Sequence, residues 1–459
     1  MSLTLLLFLL LYATGCLLAF VRHPIFGLVT YVLVLYVNPP SRWWGELVLV
    51  DFRWSFVAAG VTLLAVLLRP PRKHAIPIGR HVVTTILILF VVWIWVQSTW
   101  ALDSVMQKDL VTTYMKFLLV IVMIYAAVDS EEHLRAFLWA HVLGCAYFGW
   151  LAFATYEGGR FGDFGGGSGL GEANAAALQL ATGVMVAAAL FLDGKWRERA
   201  ILIVLIALIL NAMVTTISRS GFLALATGAL LFNIFAPRKY RVSIHVLTVL
   251  GGILFLMVTN PVYWQRMASL KHAGEEVEQT DTGSDRLAVM QGQLQMFRDH
   301  PLGCGHRCTG TLSPYYLDAS LLWAAEEGGT ATRTSHNTFL TLLVEQGIPG
   351  AIFYVAMLGW MLRRLAQIHS LAGRGMGLIS SVLPAIVGAC GAIAIGDMFV
   401  DYLKLEARIW FIALIMVVTS LAIERTPSAV TPDNAIATKP KGLKASPTHP
   451  VATVTTGRR

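Results

Sequence analysis

Apolar residues run in long blocks parted by short polar connectors: 2–20, 55–68, 82–101, 110–127, 133–156, 172–192, 199–217, 220–236, 243–259, 336–362, 378–396 and 408–423. Many approach the roughly 20 residues a helix needs to cross a hydrocarbon core. The alternating pattern of a spanning β-barrel, the other way to satisfy a backbone in lipid, is not found along the chain. The blocks predict an all-α polytopic membrane protein with 12 transmembrane helices, or 13 if residues 24–37 form a further short span. The first block lacks a basic start and a small-residue cleavage site, so it reads as a retained helix. Four regions follow. Residues 1–259 hold transmembrane helices with short loops, 260–335 one large external loop, and 336–425 the C-terminal transmembrane helices. Residues 426–459, rich in Pro, Thr, Ala and Lys, are expected to form a disordered tail.

Composition agrees. Of 459 residues, 56% are hydrophobic and 14% charged, against nearer half and a quarter in a soluble domain. The net charge of +8 does not imply a nucleic-acid partner, because the basic residues sit in short connectors. These are "RPPRKHAIPIGRH" (69–81), "DGKWRER" (193–199), "PRKYR" (237–241), "RRLAQIHSLAGR" (363–374) and the tail from Arg425. Lys/Arg bias in short loops marks the cytoplasmic side. The alternate connectors then face outward: 38–54, 102–109, 157–171, a turn near 218, 260–335 and 397–406. Several of the 13 tryptophans, including Trp43, Trp44, Trp54 and Trp100, fall near block ends, as interfacial belts do.

With the sides assigned, the polar residues that look out of place gather on the outer face. Arg160 and "FGDFGGGSGLGEAN" (161–174), ending in Asn174, lie between two blocks. Arg219 starts a block, Arg266 and Arg286 lie in the long loop, and His336–Asn337 stand where that loop enters the next block. Ser335 is a candidate cap for the helix that follows. Guanidinium groups bind phosphate oxygens in pairs through a planar fork, and they stay charged at any relevant pH. Converging arginines with a histidine suggest a site for an anionic ligand at the outer boundary, whereas any one of them alone would serve as a headgroup anchor. The glycines of 165–171 would let a backbone approach a ligand closely.

The order Arg219 in "SRSG", Arg286, "HPLGCG" (300–305) and "SHNTFLTLLVEQGIPG" (335–350) resembles the O-antigen ligase and polymerase superfamily of bacterial envelopes. "VTYVLVLYVNPPSRWW" and "VDSEEHLRAFLWA" look like the ligase branch that includes O-glycosylation ligases of exopolysaccharide systems. The resemblance covers nearly all of residues 1–425. It implies an inner-membrane glycosyltransferase with a periplasmic active site, an undecaprenyl-pyrophosphate-linked glycan as donor, and lipid A-core or another glycan or protein as acceptor. It implies no cofactor and no metal. Arg219 and Arg286 match the positions that hold pyrophosphate, and His336 matches the base. A histidine, with an ordinary pKa of about 6.5, can take an acceptor's proton at neutral pH. Arg160, Asn174, Arg266, Asn337 and Glu345 are then candidates for substrate binding, and Gly347 and Gly350 for helix packing.

Other readings remain open. A polymerase of the same superfamily would use a second carrier-linked unit as acceptor, and a transporter would only bind the anionic lipid. A transporter is expected to place ionisable groups near mid-span or to pair broken helices. "HPLGCGHRC" offers His300, Cys304, His306 and Cys308, which read either as a zinc site or as a Cys304–Cys308 disulfide. Cys16, Cys145 and Cys390 lie within blocks and read as core.

The charge pattern predicts that externally added thiol reagent labels a cysteine placed at position 280, but not one at 196, in intact cells on a cysteine-free background. The reverse labelling would invert the topology.

Overall fold

A helix pairs every interior N–H and C=O within its own segment, so an apolar block in a water-poor setting has little alternative to becoming one. The computed structural model describes residues 2–46, 52–162, 164–166, 170, 172–259, 283–323, 331–333, 336–372, 377–401 and 403–425, with the side chains of 258, 283–286 and 372 excepted. The tail and Arg266 fall outside these residues, as does the Arg286 side chain.

The first ten helices are α1 (Leu3–Val21), α2 (Ile25–Val37), α3 (Trp54–Leu68), α4 (Val82–Gln97), α5 (Ser104–Ala127), α6 (Glu131–Thr155), α7 (Ala173–Asp193), α8 (Trp196–Thr215), α9 (Arg219–Ile234) and α10 (Arg241–Val258). Then come α11 (Gly283–Asp299), α12 (Cys308–Tyr316), α13 (Thr338–Ala372), α14 (Leu378–Gly396) and α15 (Glu406–Arg425). Among the described residues, nine helices are long and apolar enough to cross a membrane: α1, α5, α6, α7, α8, α10, α13, α14 and α15. Four shorter apolar helices, α2, α3, α4 and α9, accompany them. This is the helix set of a polytopic membrane protein. The stretch expected as one external loop contains α11 and α12, because Met296, Cys304 and Cys308 form an apolar cluster with Val344 of α13.

Burial sorts the helices into layers. α15 is buried along almost its whole length, around Trp410 and Phe411, and so carries no polar stripe. Small residues let α14 and α9 touch: a Cβ on Gly388 would lie 2.7 Å from the Gly228 carbonyl oxygen. At the periphery, α1 exposes Leu3, Leu10 and Leu11, and α10 exposes Val242, Val249 and Met257, as lipid-facing helices do.

One helix departs from the expected pattern. The apolar pattern at 336–362 predicts a single span, but α13 is broken at Gly347 (φ 66°, ψ −169°), two residues before Pro349. A break frees the carbonyls of the preceding turn, and each must find a new donor. Cys304 N–H reaches the Val344 carbonyl (3.2 Å), Gly305 N–H the Glu345 carbonyl (3.0 Å), and Trp93 Nε1 the Gln346 carbonyl (2.8 Å). Gln97 Nε2 donates a second bond to the Glu345 carbonyl at 2.6 Å. Gly303 (φ 84°) and Gly347 cross so closely that a Cβ on Gly347 would lie 2.3 Å from the Leu302 carbonyl carbon.

The two ends of the body differ. At one, Asp129 meets His23, His133 and the Arg72 backbone, while Arg72 also pairs with Glu424 and Arg425 with Glu131. That end gathers the 69–81 connector. At the other end lie the 216–218 turn, His336–Asn337 and the 397–400 turn, the segments assigned to the outer face.

Gly347→Ala should destabilise the protein by more than the ~1–3 kcal/mol of the backbone strain alone, because backbone must also move aside. Gly359→Ala in the same helix, where a Cβ would meet nothing within 4 Å, should be neutral or stabilising by up to ~1 kcal/mol. Thermal unfolding of the two variants in detergent makes the comparison.

Candidate active site

Helix starts build the site. Asn337 directly precedes α13, and its Oδ1 accepts from Leu340 N–H at 3.0 Å, so Asn337 is the N-cap. The sequence reading gave that role to Ser335, which lies outside the described residues. Ser335, Asn337 and Thr338 are all capable caps, and tertiary pairing selects among them. Thr338 N–H donates to the Asp397 carbonyl (2.7 Å), Thr338 Oγ1 to the Val400 carbonyl (2.7 Å), and Asn337 Nδ2 to the Met398 carbonyl (3.3 Å). Those bonds dock the start of α13 on the 397–400 turn.

That turn is itself held by buried charge. Asp397 pairs with Arg408, whose guanidinium also lies over the Tyr354 ring, and Tyr354 donates to Asp397 Oδ2 at 2.6 Å. Asp397 and Arg408 are 1% and 4% exposed. A buried carboxylate stripped of its partner would cost several kcal/mol, so the pair fixes the turn.

His336 borders a cavity of about 130 Å³ lined by Val289, Met290 and Gln293 of α11, Arg333, Asn337, and Met398 and Phe399 of the turn. The Trp323 ring lies 5.5 Å from His336, and Arg333 stacks over Trp323 at 4.5 Å. A bridge between Trp323 and Thr332 holds this pair, with Trp323 N–H on the Thr332 carbonyl (3.1 Å). Sequence reading missed Trp323, Arg333 and Gln293, since no spacing marks them and only folding of the 283–333 stretch onto α13 brings them to His336.

A second polar group involves Arg160, Asn174 and Ser218. Arg160 donates to Asn174 Oδ1 (2.8 Å) and to the Thr216 carbonyl (3.1 Å), and Ser218 Oγ donates to the same Asn174 oxygen at 2.8 Å. Ser218 caps α9 through Gly221 N–H, which makes half-buried Arg219 the first residue of that helix. Ile217 before it adopts φ 47°, an unusual backbone for a β-branched residue and one that turns the chain sharply from α8 into α9. The two groups lie at the same end of the body: Gly396 at the end of α14 packs on Leu178, one turn after Asn174 on α7.

The glycines of 165–171 are accounted for in part by the protein itself. Gly165 (φ 56°) is packed against Ser41, and its carbonyl accepts from Asn38 Nδ2 at 2.6 Å. Arg42 holds the same loop through the Phe164 carbonyl at 2.7 Å.

Glu345 lies two turns inside α13 and is 1% exposed. Its carboxylate meets His306 Nδ1 (2.8 Å) and Thr309 Oγ1 (2.9 Å), tying the 300–309 turn to the broken helix. Cys304 and Cys308 form a disulfide, so the zinc reading of "HPLGCGHRC" is replaced by that bond and the Glu345–His306 pair. Among the described residues, His23, Asp129 and His133 form a group whose donor atoms lie within 4.8 Å of one another, at the opposite end. His23 Nδ1 accepts from Ile25 N–H (3.2 Å), and His23 Nε2 and His133 Nδ1 both reach the carboxylate. A metal on Nε2 would need Nδ1 protonated against that N–H, so the group fits a carboxylate between two imidazoles better than a metal site. Burial works to raise the Asp129 pKa, but these hydrogen bonds and that from Arg72 N–H outweigh it and hold the carboxyl well below its ordinary range.

Among the described residues, an all-helical body with nine helices long and apolar enough to cross a membrane, and with His336, Asn337 and Arg160 at one end, is that of a polytopic membrane protein. Residues 204–355 match the family model described as O-antigen ligase, which supports membership of the O-antigen ligase superfamily. The matched stretch runs from α8 past the break in α13 and takes in Arg219, Arg286, His336 and Glu345. No curated protein matches the chain.

Asn337→Ala should lower stability by about 1 kcal/mol through loss of the cap, whereas Ser335→Ala should change it little. Thermal midpoints of the two variants distinguish the caps.

Proposed function

We propose that the protein transfers O-antigen or a related glycan from undecaprenyl pyrophosphate to a hydroxyl of lipid A-core, at the periplasmic face of the inner membrane. The observation that carries this reading is His336, which borders the cavity beside Trp323 at the end of the body where α9 begins with Arg219. The superfamily match supports a ligase- or polymerase-type activity in general. The donor, the acceptor and the roles below are our assignment.

In the reaction the acceptor oxygen attacks the anomeric carbon and forms the new glycosidic bond. The bond from that carbon to the pyrophosphate oxygen breaks, and its electron pair leaves with the carrier. His336 takes the acceptor proton as attack proceeds, a contribution of ~10²–10⁴ for a well-placed base. Arg219 and Arg286 stabilise the charge that grows on the departing pyrophosphate, the kind of fixed electrostatic help that is worth most in a partly dry site. Displacement from the opposite face inverts the anomeric centre, so no carboxylate nucleophile is required. Arg160, Asn174 and Arg266 complete the rim, and Asn337 acts by setting the start of α13 beneath His336. Glu345 acts from beneath, through the 300–309 turn. No nucleic acid and no cofactor takes part in this scheme, and the tail is assigned to the cytoplasm.

His336→Ala should retain folding and carrier binding but lose transfer by roughly 10²-fold or more. Parent activity should fall on the acid side, as a base must be unprotonated. Arg219→Lys should be nearly as damaging as Arg219→Ala, because an ammonium lacks the paired contacts of the fork. An assay with carrier-linked glycan and lipid A-core, run with and without chelator, decides between outcomes. Substantial transfer by His336→Ala removes the base assignment, and chelator loss reversed by a metal overturns the metal-free scheme. Product in which carrier-linked units are joined to one another would identify a polymerase.

A further inference from the structure

The cavity beside His336 holds a buried amide that the protein leaves unused. Gln293 of α11 is 2% exposed, and its Nε2 has no hydrogen-bond partner. It lines the cavity together with His336 and Arg333. Val289 and Met290, four and three residues earlier, stand on the same face of α11 and line the same space. A buried N–H left without an acceptor is costly, so an orphan amide at a cavity wall is a feature that needs an explanation. The cavity, about 130 Å³, is large enough to take several waters or the hydroxyl-bearing edge of one sugar ring.

We propose that this cavity is the subsite for the acceptor's terminal sugar, with Gln293 Nε2 donating to one of its ring hydroxyls. The inference rests on the transfer reaction proposed above and deepens it by naming the group that recognises the acceptor. An uncharged sugar fits the lining, which pairs the amide with the apolar surfaces of Met290, Met398 and Phe399. The arginine in the wall, Arg333, is engaged with the Trp323 ring and with the Leu321 carbonyl at 3.2 Å. The donor's pyrophosphate is assigned instead to Arg219, the first residue of α9, and to Arg286, as above. Placing a neighbouring hydroxyl on Gln293 would present the reacting hydroxyl to His336, the base at the cavity's edge. Gln293 is therefore a positioning and specificity residue that leaves the chemistry to His336.

The roles separate experimentally, because an unused amide should lower stability while a binding amide should raise affinity. Core oligosaccharide released from rough lipopolysaccharide serves as the probe, titrated calorimetrically into the purified full chain. Gln293→Leu fills the same space without a polar group, and Gln293→Glu replaces the donor by an acceptor. Both should bind the oligosaccharide roughly tenfold more weakly, the effect of one lost hydrogen bond. Undecaprenyl pyrophosphate affinity should be unchanged, and the thermal midpoint of Gln293→Leu should equal or exceed that of the parent. Unchanged oligosaccharide affinity in both variants, or no binding by the parent, overturns the subsite. If the parent binds through Gln293 yet catalyses no transfer, the proposed reaction fails while the subsite stands. If the parent transfers glycan while the variants bind normally, the reaction stands and the subsite fails.

Discussion

Gly303 and Gly347 cross with their backbones in contact, and the arrangement of the site's floor depends on that crossing. Neither position accepts a side chain: a Cβ on Gly303 would sit 2.6 Å from both the Glu345 carbonyl oxygen and the Gly347 nitrogen. The close approach lets the 300–305 segment supply N–H groups to carbonyls that the broken helix exposes. Gln97 and Trp93 of α4 complete the set. An interrupted helix inside an apolar body survives only if every freed group is satisfied in this way. The break is therefore an interlock between two glycines 44 residues apart, Gly303 and Gly347.

From that interlock the polar chemistry follows in layers. The Glu345 carboxylate, freed from solvent, holds His306 and Thr309, while the Cys304–Cys308 disulfide closes the same turn. On the other side of the short helical segment, Thr338 and Asn337 dock on the 397–400 turn, which the Asp397–Arg408–Tyr354 group stiffens. His336 thus stands just ahead of a short helical segment clamped at both ends. A base that must meet a hydroxyl at hydrogen-bond distance gains from such a support, since small misplacements are costly in rate. A single broken helix, Gly347 in α13, does carry one feature associated with transporters. Here the freed carbonyls are consumed by protein donors, so the break supports the site.

The fold class was legible because lipid imposes a local rule: blocks of apolar residues must pair their backbones internally, and the long apolar helices fall on those blocks, whereas α11 and α12 lie between them. That Arg160, Asn174 and Arg219 flank block ends was legible; the bonds that join Arg160 and Ser218 to Asn174 were not. The 69–81 connector meets Asp129 and Glu424 at one end of the body, and His336 lies at the other.

Three decisions belonged to tertiary structure. The cap of α13 is Asn337, although Ser335 is as good a local candidate, because the docking of Thr338 on Asp397 and Val400 sets where the helix begins. Gly347 ends the first segment of α13, although the apolar pattern continues through it, because only the partner strand of backbone at 301–305 makes the break affordable. Trp323, Arg333 and Gln293 gather at His336 through the packing of α11 and the 323–332 bridge, contacts between residues that no sequence period relates. Sequence alone determined which apolar segments are helical and which polar residues stand at their ends, since both follow from short-range backbone pairing and solvent; α11 and α12, which lack the long apolar pattern, were not legible in this way. The choice of which ends meet depended on long-range packing, which is fixed only when the whole body closes.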